Sequence, residues 1–435
     1  MSVTRQNVKK FLTASGAIAL LDAVRNIVVA NRMGPELTGL CMTTLILPQV
    51  AQYLNLGLIE SLTVLVPHSQ GKKEDREAKD LKYTVLYLSL GISGATFLAV
   101  CAYLFLFPRP TPIQNQYVLM AGVLIILWEA KQFFVTDYVV THRFGTLSRV
   151  ELAFTLMVTI FQICMVRWWG GYGFWLGFIL PHLIITLYSA RDFFQTNAPG
   201  RFSWPTRRVL TKILPLGMSL LIASVTYAPF LILARALIAK GLGVRAAGLF
   251  LLPMIVITKI SIVPSAISKV LLPRFAFLHG MKADIAESYS LFIKTQGYTF
   301  LTTSAVILPG LFLLRPLARI ILPQYMGGVP AARMMLFAAI PYALIDHANN
   351  FLLARQKKKA YLAGLGLSLG FQTLLLYLLF TNGLATVESI AATFIAVFAV
   401  QALLSNYQVY RTKEKEKDAP GAAALEALRF RGASE

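Results

Sequence analysis

YTVLYLSLGISGATFLAVCAYLFLF, residues Tyr83 to Phe107, contains no Asp, Glu, Lys or Arg. An α-helix needs about 20 apolar residues to cross the hydrocarbon of a bilayer, so this block is long enough to span one. It follows a charged run (DREAKDLK, residues 75–82) and ends at PRPTP (residues 108–112), where prolines stop a helix. Apolar residues here form a solid block, without the 3.6- or 2-residue striping of a helix or strand with one wet face.

The same reading extends outward in both directions. Of 435 residues, 56% are hydrophobic and only 14% charged, with a mean hydropathy of +0.63. A soluble chain of this length would need a far more charged surface. Blocks at 11–30, 40–66, 83–107, 116–138, 148–166 and 172–190 fill the first half. Blocks at 213–235, 247–271, 295–314, 332–353, 360–380 and 387–408 fill the second. GPE (34–36), WWGGYG (168–173) and NAPGRFSWP (197–205) separate neighbours. The fold class expected is therefore an all-α polytopic membrane protein of twelve spans. Expected boundaries are a six-helix lobe at 1–200, a second at 201–410 and a cytoplasmic tail at 411–435. MSVTRQNVKK leads straight into the first block and reads as part of a retained helix.

Charge fixes the orientation. The net charge of +21 would suggest nucleic acid in a soluble protein. Here 29 of the 41 Lys and Arg residues fall in segments on the N-terminal side of the membrane and 8 on the other side. Arg25, Lys131, Arg235 and Lys259 lie within spans. This alternation is the positive-inside pattern, so both termini are expected in the cytoplasm and nucleic acid is not expected as a partner. Cys41, Cys101 and Cys164 sit in apolar blocks without ligand spacing. There is no HExxH, and the carboxylates are too scattered to nominate a general acid–base pair. Neither an enzyme nor a cofactor is expected.

The halves share a pattern. RNIVVANRMGPELTGL (Arg25–Leu40) parallels RALIAKGLGVRAAGL (Arg235–Leu249), each with Arg, an apolar run and GxxxxGL. VLVP (64–67) parallels VLLP (270–273). A six-span repeat preserves orientation, which relates the lobes by an axis along the membrane normal and suits two bundles rocking about a central cavity.

DAVRNIVVANRMGPELTGLCMTTLILPQVAQYLNLGLIESLTVLVPHSQGKK (Asp22–Lys73), ILPLGMSL (Ile213–Leu220) and VPSAISKVLLPR (Val263–Arg274) resemble the polysaccharide and lipid-linked oligosaccharide flippases. These are a branch of the multidrug/oligosaccharidyl-lipid/polysaccharide exporter (MOP) superfamily. The resemblance implies two six-helix lobes that alternate between inward- and outward-facing states in the bacterial cytoplasmic membrane. It implies an undecaprenyl-diphosphate-linked oligosaccharide as cargo, such as an O-antigen or exopolysaccharide repeat unit. Membrane lipid and other polysaccharide-assembly membrane proteins are the further partners it suggests. A cation-coupled multidrug exporter of the same superfamily is the alternative.

Ionisable groups at bilayer depth are costly and tend to face a cavity or a partner. Asp22 is three residues before Arg25 on one helix face, so the two can pair. Either that pair only offsets burial, or Arg25 lines the cavity and grips diphosphate oxygens, as the resemblance implies. Arg235 is its repeat counterpart, either converging on the same anion or snorkelling at the outer helix end. Lys259, near the middle of the eighth span, needs a cavity or a carboxylate. Arg25, Arg235, Lys259 and Asp22 are the substrate-binding candidates. Glu60, Glu129, Asp346 and His347 are the ion-coupling candidates, the Asp-His pair being either a proton carrier or an inert contact between helices. Glu129 and Lys131 point to different helix faces. Asp137, His142 and Glu151, near helix ends, read as solvated. GLGLSLG (364–370) reads as a close-packing stripe rather than a phosphate loop.

Overall fold

The computed structural model describes residues 2–71, 74–107, 112–197, 207–224, 228–261, 275, 285–355 and 357–417. Those residues form helices and their connections: α1 (Ser2–Thr44), α2 (Ile46–Leu54), α3 (Leu58–Gly71), α4 (Asp75–Leu106), α5 (Pro112–Val140), α6 (Phe144–Thr196) and α7 (Arg207–Ser224). There follow α8 (Ala228–Gly241), α9 (Val244–Leu249), α10 (Leu251–Ile260), α11 (Ile285–Ile321), a 3-10 turn (Pro323–Gly328), α12 (Val329–Ala354), α13 (Lys358–Thr381) and α14 (Val387–Lys417). Among the described residues, seven helices are long and apolar enough to cross a membrane, or eight if one bent pair counts as a span. Large apolar side chains point outward, including Phe105 (87% exposed), Phe312 and Ile320 (both 79%). A water-facing surface would not present these; a lipid-facing one does. The all-α polytopic expectation holds.

Two breaks predicted from local chemistry occur inside continuous helices. At GPE, Gly34 takes φ 70° and ψ 170°, followed by Pro35, so α1 carries the first span and turns into the second. At WWGGYG, Gly170 takes φ 53° and ψ −121°, so α6 carries the fifth and sixth spans. Trp168 and Trp169 beside it are exposed, as aromatic side chains are where a span meets the interface.

A third break was not expected. The second span, read as continuous over 40–66, is interrupted at Asn55–Gly57 and bends by 41° between α2 and α3. Leu56 (φ 51°) and Gly57 (φ 73°) are consecutive left-handed residues, a conformation that costs energy in a residue with a side chain. The backbone of α7 lies against this break. A Cβ on Gly57 would strike the Gly217 carbonyl, and one on Gly217 would strike that of Gly57.

Two compact units divide the chain. Unit 1 comprises Met1–Val225 together with Gly243–Gly248; unit 2 comprises Thr226–Leu242 and Leu249–Glu435. α7 therefore belongs with the first unit, and the division falls at 225/226, later than the 200/201 boundary read from the NAPGRFSWP stretch. In unit 1 one cluster joins Val29, Met33, Cys41, Tyr117, Phe174 and Trp175, and another joins Leu62, Phe133, Phe193 and Ile213. In unit 2, Phe275, Phe292 and Phe351 form a core with Val409, and Phe230, Phe394 and Phe398 stack edge to face. Residues 418–435, most of the expected tail, lie outside the described residues, as does the whole of VPSAISKVLLPR.

The repeat is visible in the backbone. Gly243 has φ 87°, matching Gly34 at its equivalent position. Within unit 1 the two GxxxxG segments pack on one another reciprocally: a Cβ on Gly39 would meet the Val244 carbonyl, and one on Gly248 would meet the Pro35 carbonyl. Equivalent residues exchanging equivalent contacts are what a local two-fold axis produces. In GLGLSLG, Gly364 and Ser368 are buried, with Gly364 against Ser405 and Gln408, whereas a Cβ on Gly366 or Gly370 would enter open space.

Candidate functional site: a cationic and aromatic cluster in unit 1

Arg25 sits in α1 between a carboxylate and a ring. Its Nη2 lies 3.1 Å from Asp22 Oδ1 and 3.3 Å from Asn26 Oδ1, and its Cζ stands 5.5 Å from the centre of the Phe178 ring. The side chain is 13% exposed, and its buried Nε has no hydrogen-bond partner among the described residues. The i,i+3 spacing explains the Asp22 pair, whereas Phe178 arrives from the sixth span and no local pattern announces it.

A second cation lies nearby in the same layer of helices. Lys131, on α5, bonds Glu151 at 2.8 Å and stands 3.9 Å over the Phe154 ring, both from the fifth span. Buried His182 connects the two. Its Nδ1 donates to the Phe178 carbonyl at 2.8 Å, its ring stacks on Trp128 (5.6 Å), and it meets Phe154 edge to face at 4.6 Å. The series Arg25, Phe178, His182, Phe154, Lys131 thus combines two cations with flat aromatic faces. Each cation gains a ring interaction of roughly 0.5–2 kcal/mol and a carboxylate, which together lower the cost of holding charge at this depth. His182 was not among the expected residues; a lone histidine in the middle of a predicted span was the signal available for it.

Glu129, two residues from Lys131, does face another way, as helix geometry requires. It is buried and accepts a hydrogen bond from Asn55 Nδ2 at the break between α2 and α3. Glu60 is half-buried on α3 and acts on Glu129 electrostatically.

The carboxylates near helix ends are not solvated as expected. Asp137 is 3% exposed and lies 2.7 Å from Lys82 Nζ, itself buried, and Glu151 pairs with Lys131. Lys82 sits just before the third span and Asp137 at the end of the fourth, so each looks peripheral until the helices pack. Arg143 and Asp192 form a two-pronged pair at 2.7 and 3.0 Å at the same end of these helices.

The remaining candidates belong to unit 2. Arg235 is 1% exposed in α8, which overturns the snorkelling alternative: its side chain stays inside the bundle. Lys259 is half-buried in the last turn of α10, and the following part of the expected 247–271 span lies outside the described residues. Asp346 is half-buried, while His347 is fully buried with Nε2 2.5 Å from Thr299 Oγ1. Among the described residues no three His, Cys, Asp or Glu side chains come together as a metal-ligand set.

No protein-family model matches the chain, and no curated protein does. Solved structures do. An inward-facing multidrug resistance MATE family transporter of the MOP superfamily aligns with a TM-score of 0.69 at 12% identity, over 91% of this chain and 96% of that one. A MOP superfamily transporter from Pyrococcus furiosus, described as having a binding pocket of reverse polarity that suggests a different function, aligns with a TM-score of 0.69 at 13% identity, over 95% and 97%. An outward-facing MATE family transporter aligns at 0.66 and 12%, over 94% of each chain. Sequence identity this low carries the fold and nothing finer. Over nearly its whole length, this chain has the fold of the MOP superfamily transporters.

Proposed function

We propose that the protein moves an undecaprenyl-diphosphate-linked oligosaccharide, an O-antigen or exopolysaccharide repeat unit, across the bacterial cytoplasmic membrane by alternating access. Both termini are on the cytoplasmic side in this reading, and the chain transports without catalysing a reaction. The observation that carries it is Arg25: a guanidinium at membrane depth whose buried Nε is left without a partner beside Asp22. A diphosphate oxygen supplies the acceptor that the site lacks, in the paired geometry a guanidinium favours. The rings of Phe178, His182 and Phe154 offer flat faces for the sugar head, and Lys131 a second positive charge.

A second reading, a multidrug exporter, draws on the fold neighbours described as multidrug resistance transporters and on the partly exposed carboxylates of Asp22 and Glu151. The Pyrococcus furiosus neighbour, with its pocket described as reversed in polarity, indicates that this fold does not dictate the sign of its cargo.

Deleting the gene in its host separates the two. The flippase reading expects lipid-linked oligosaccharide to accumulate in the inner leaflet, with loss of surface polymer. Wild type restores export, whereas Arg25→Ala lowers it by roughly 10- to 100-fold, the worth of one or two charge-assisted hydrogen bonds. Unchanged glycans with raised sensitivity to cationic dyes overturn the flippase and support the exporter.

A further inference from the structure

We infer that Glu129 and Asn55 form a proton-binding site at the break in the second span, with Glu129 carrying the proton in the conformation described. The inference stands apart from the identity of the cargo.

The geometry begins with the break. Gly57 and Gly217 bring two backbones together without side chains between them, and the left-handed pair Leu56–Gly57 turns the chain so that Asn55 caps α2. Asn55 is 3% exposed and Glu129 4%. Asn55 donates through Nδ2 to Glu129 Oε2, yet its own Oδ1, also buried, accepts nothing among the described residues.

An ionised Glu129 has only acceptors, so it can never satisfy that amide oxygen. A protonated Glu129 has one O–H donor, and a carboxylic acid facing a primary amide can both give and receive. The proton therefore supplies what both side chains lack: a donor for Oδ1 and neutrality for a buried carboxyl. The C-terminal end of α2 adds partial negative charge on the same side, which a proton tolerates and a second anion does not.

Among the described residues, charges on the surrounding elements do not provide a counter-ion. From α3, Glu60 is of the same sign. On α5 itself Lys131 is held by Glu151, and Asp137 by Lys82 of α4. On α1, Arg25 is held by Asp22, and on α6, His182 is bonded to the Phe178 carbonyl. Glu60, less buried than Glu129, is the neighbouring carboxylate through which the proton can reach water.

The test is infrared difference spectroscopy of the full chain in lipid nanodiscs at pH 7, in H2O and D2O, comparing wild type with variants. Wild type is expected to show the carbonyl stretch of a neutral carboxylic acid that shifts on deuteration. Glu129→Gln, which keeps the shape of the neutral acid, loses that band. Asn55→Leu keeps it but shifts it, which assigns the band even if Glu129→Gln fails to assemble. Glu60→Gln leaves it in place. Carboxylate bands alone in the wild-type difference overturn the proposal. So does loss of the acid band in Glu60→Gln, which puts the proton on Glu60. A Glu129 carboxylate band that moves with added Na⁺ at constant pH also overturns it, in favour of a sodium site.

Discussion

Unit 1 pairs Asp22 with Arg25 within α1 and Lys82 with Asp137, Lys131 with Glu151 and Arg143 with Asp192 between spans, all between 2.7 and 3.1 Å. In unit 2 an ion pair joins Lys413 and Glu414 at 3.7 Å, and hydrogen bonds link polar groups of different helices. Thr299 meets His347, Gln296 bonds Asn406 and the Leu344 carbonyl, Gln372 bonds the Phe230 carbonyl, and Arg355 donates to Ser288. A network of paired charges costs more to assemble and is less forgiving of loss, since each deletion strands a partner. Hydrogen bonds between helices in a membrane are individually weak and replaceable.

The strongest way to break this comparison is to remove one charge from the most buried pair. Lys82→Met leaves Asp137 without its cation and is expected to cost about 3–5 kcal/mol, read as a lowered midpoint of thermal unfolding in detergent. Adding Asp137→Leu should recover most of that loss, and no recovery would mean that the pair is not the reason for the cost. Gly57→Ala comes next, since the added methyl meets the Gly217 carbonyl at a left-handed residue. About 1–3 kcal/mol is expected, and a neutral result would show that the break does not hold this shape. In unit 2, Thr299→Val removes the hydroxyl that meets His347, with an expected cost near 0.6 kcal/mol and at most about 1.7. A loss equal to that of Lys82→Met would erase the distinction between an ion pair and a hydrogen bond as the costlier contact to lose. Smallest of all, Gly366→Ala fills open space on α13 and is expected to be neutral or to gain up to about 1 kcal/mol from helix propensity.

Much of the architecture was legible in the sequence because bilayer thickness imposes a length on apolar blocks and translocation imposes a sign on loops. GPE and WWGGYG announced their breaks through residues with special backbone needs. NLGL (55–58) did not, because its one glycine sits in an otherwise apolar run and the strained position falls on Leu56. The pairs of unit 1 were mostly hidden for another reason. Hydropathy reports the depth of a residue but not the rotation of its helix about its own axis. Asp22–Arg25 was readable since one helix supplies both, whereas Lys82 and Asp137 are 55 positions apart and meet only when α4 packs on α5. Charge position also misled at helix ends, where Asp137 was read as wet because the sequence shows no partner near it.

The reciprocal seam between Gly34–Gly39 and Gly243–Gly248 is built of backbone, with no side chains interleaved at its closest points. Separating such surfaces uncovers little oil-like area and leaves no hole to be refilled, while freed carbonyls can take up water. A side-chain zipper would resist parting in proportion to its interlocking, whereas a seam of bare backbone is held in register chiefly by the glycines that admit no Cβ.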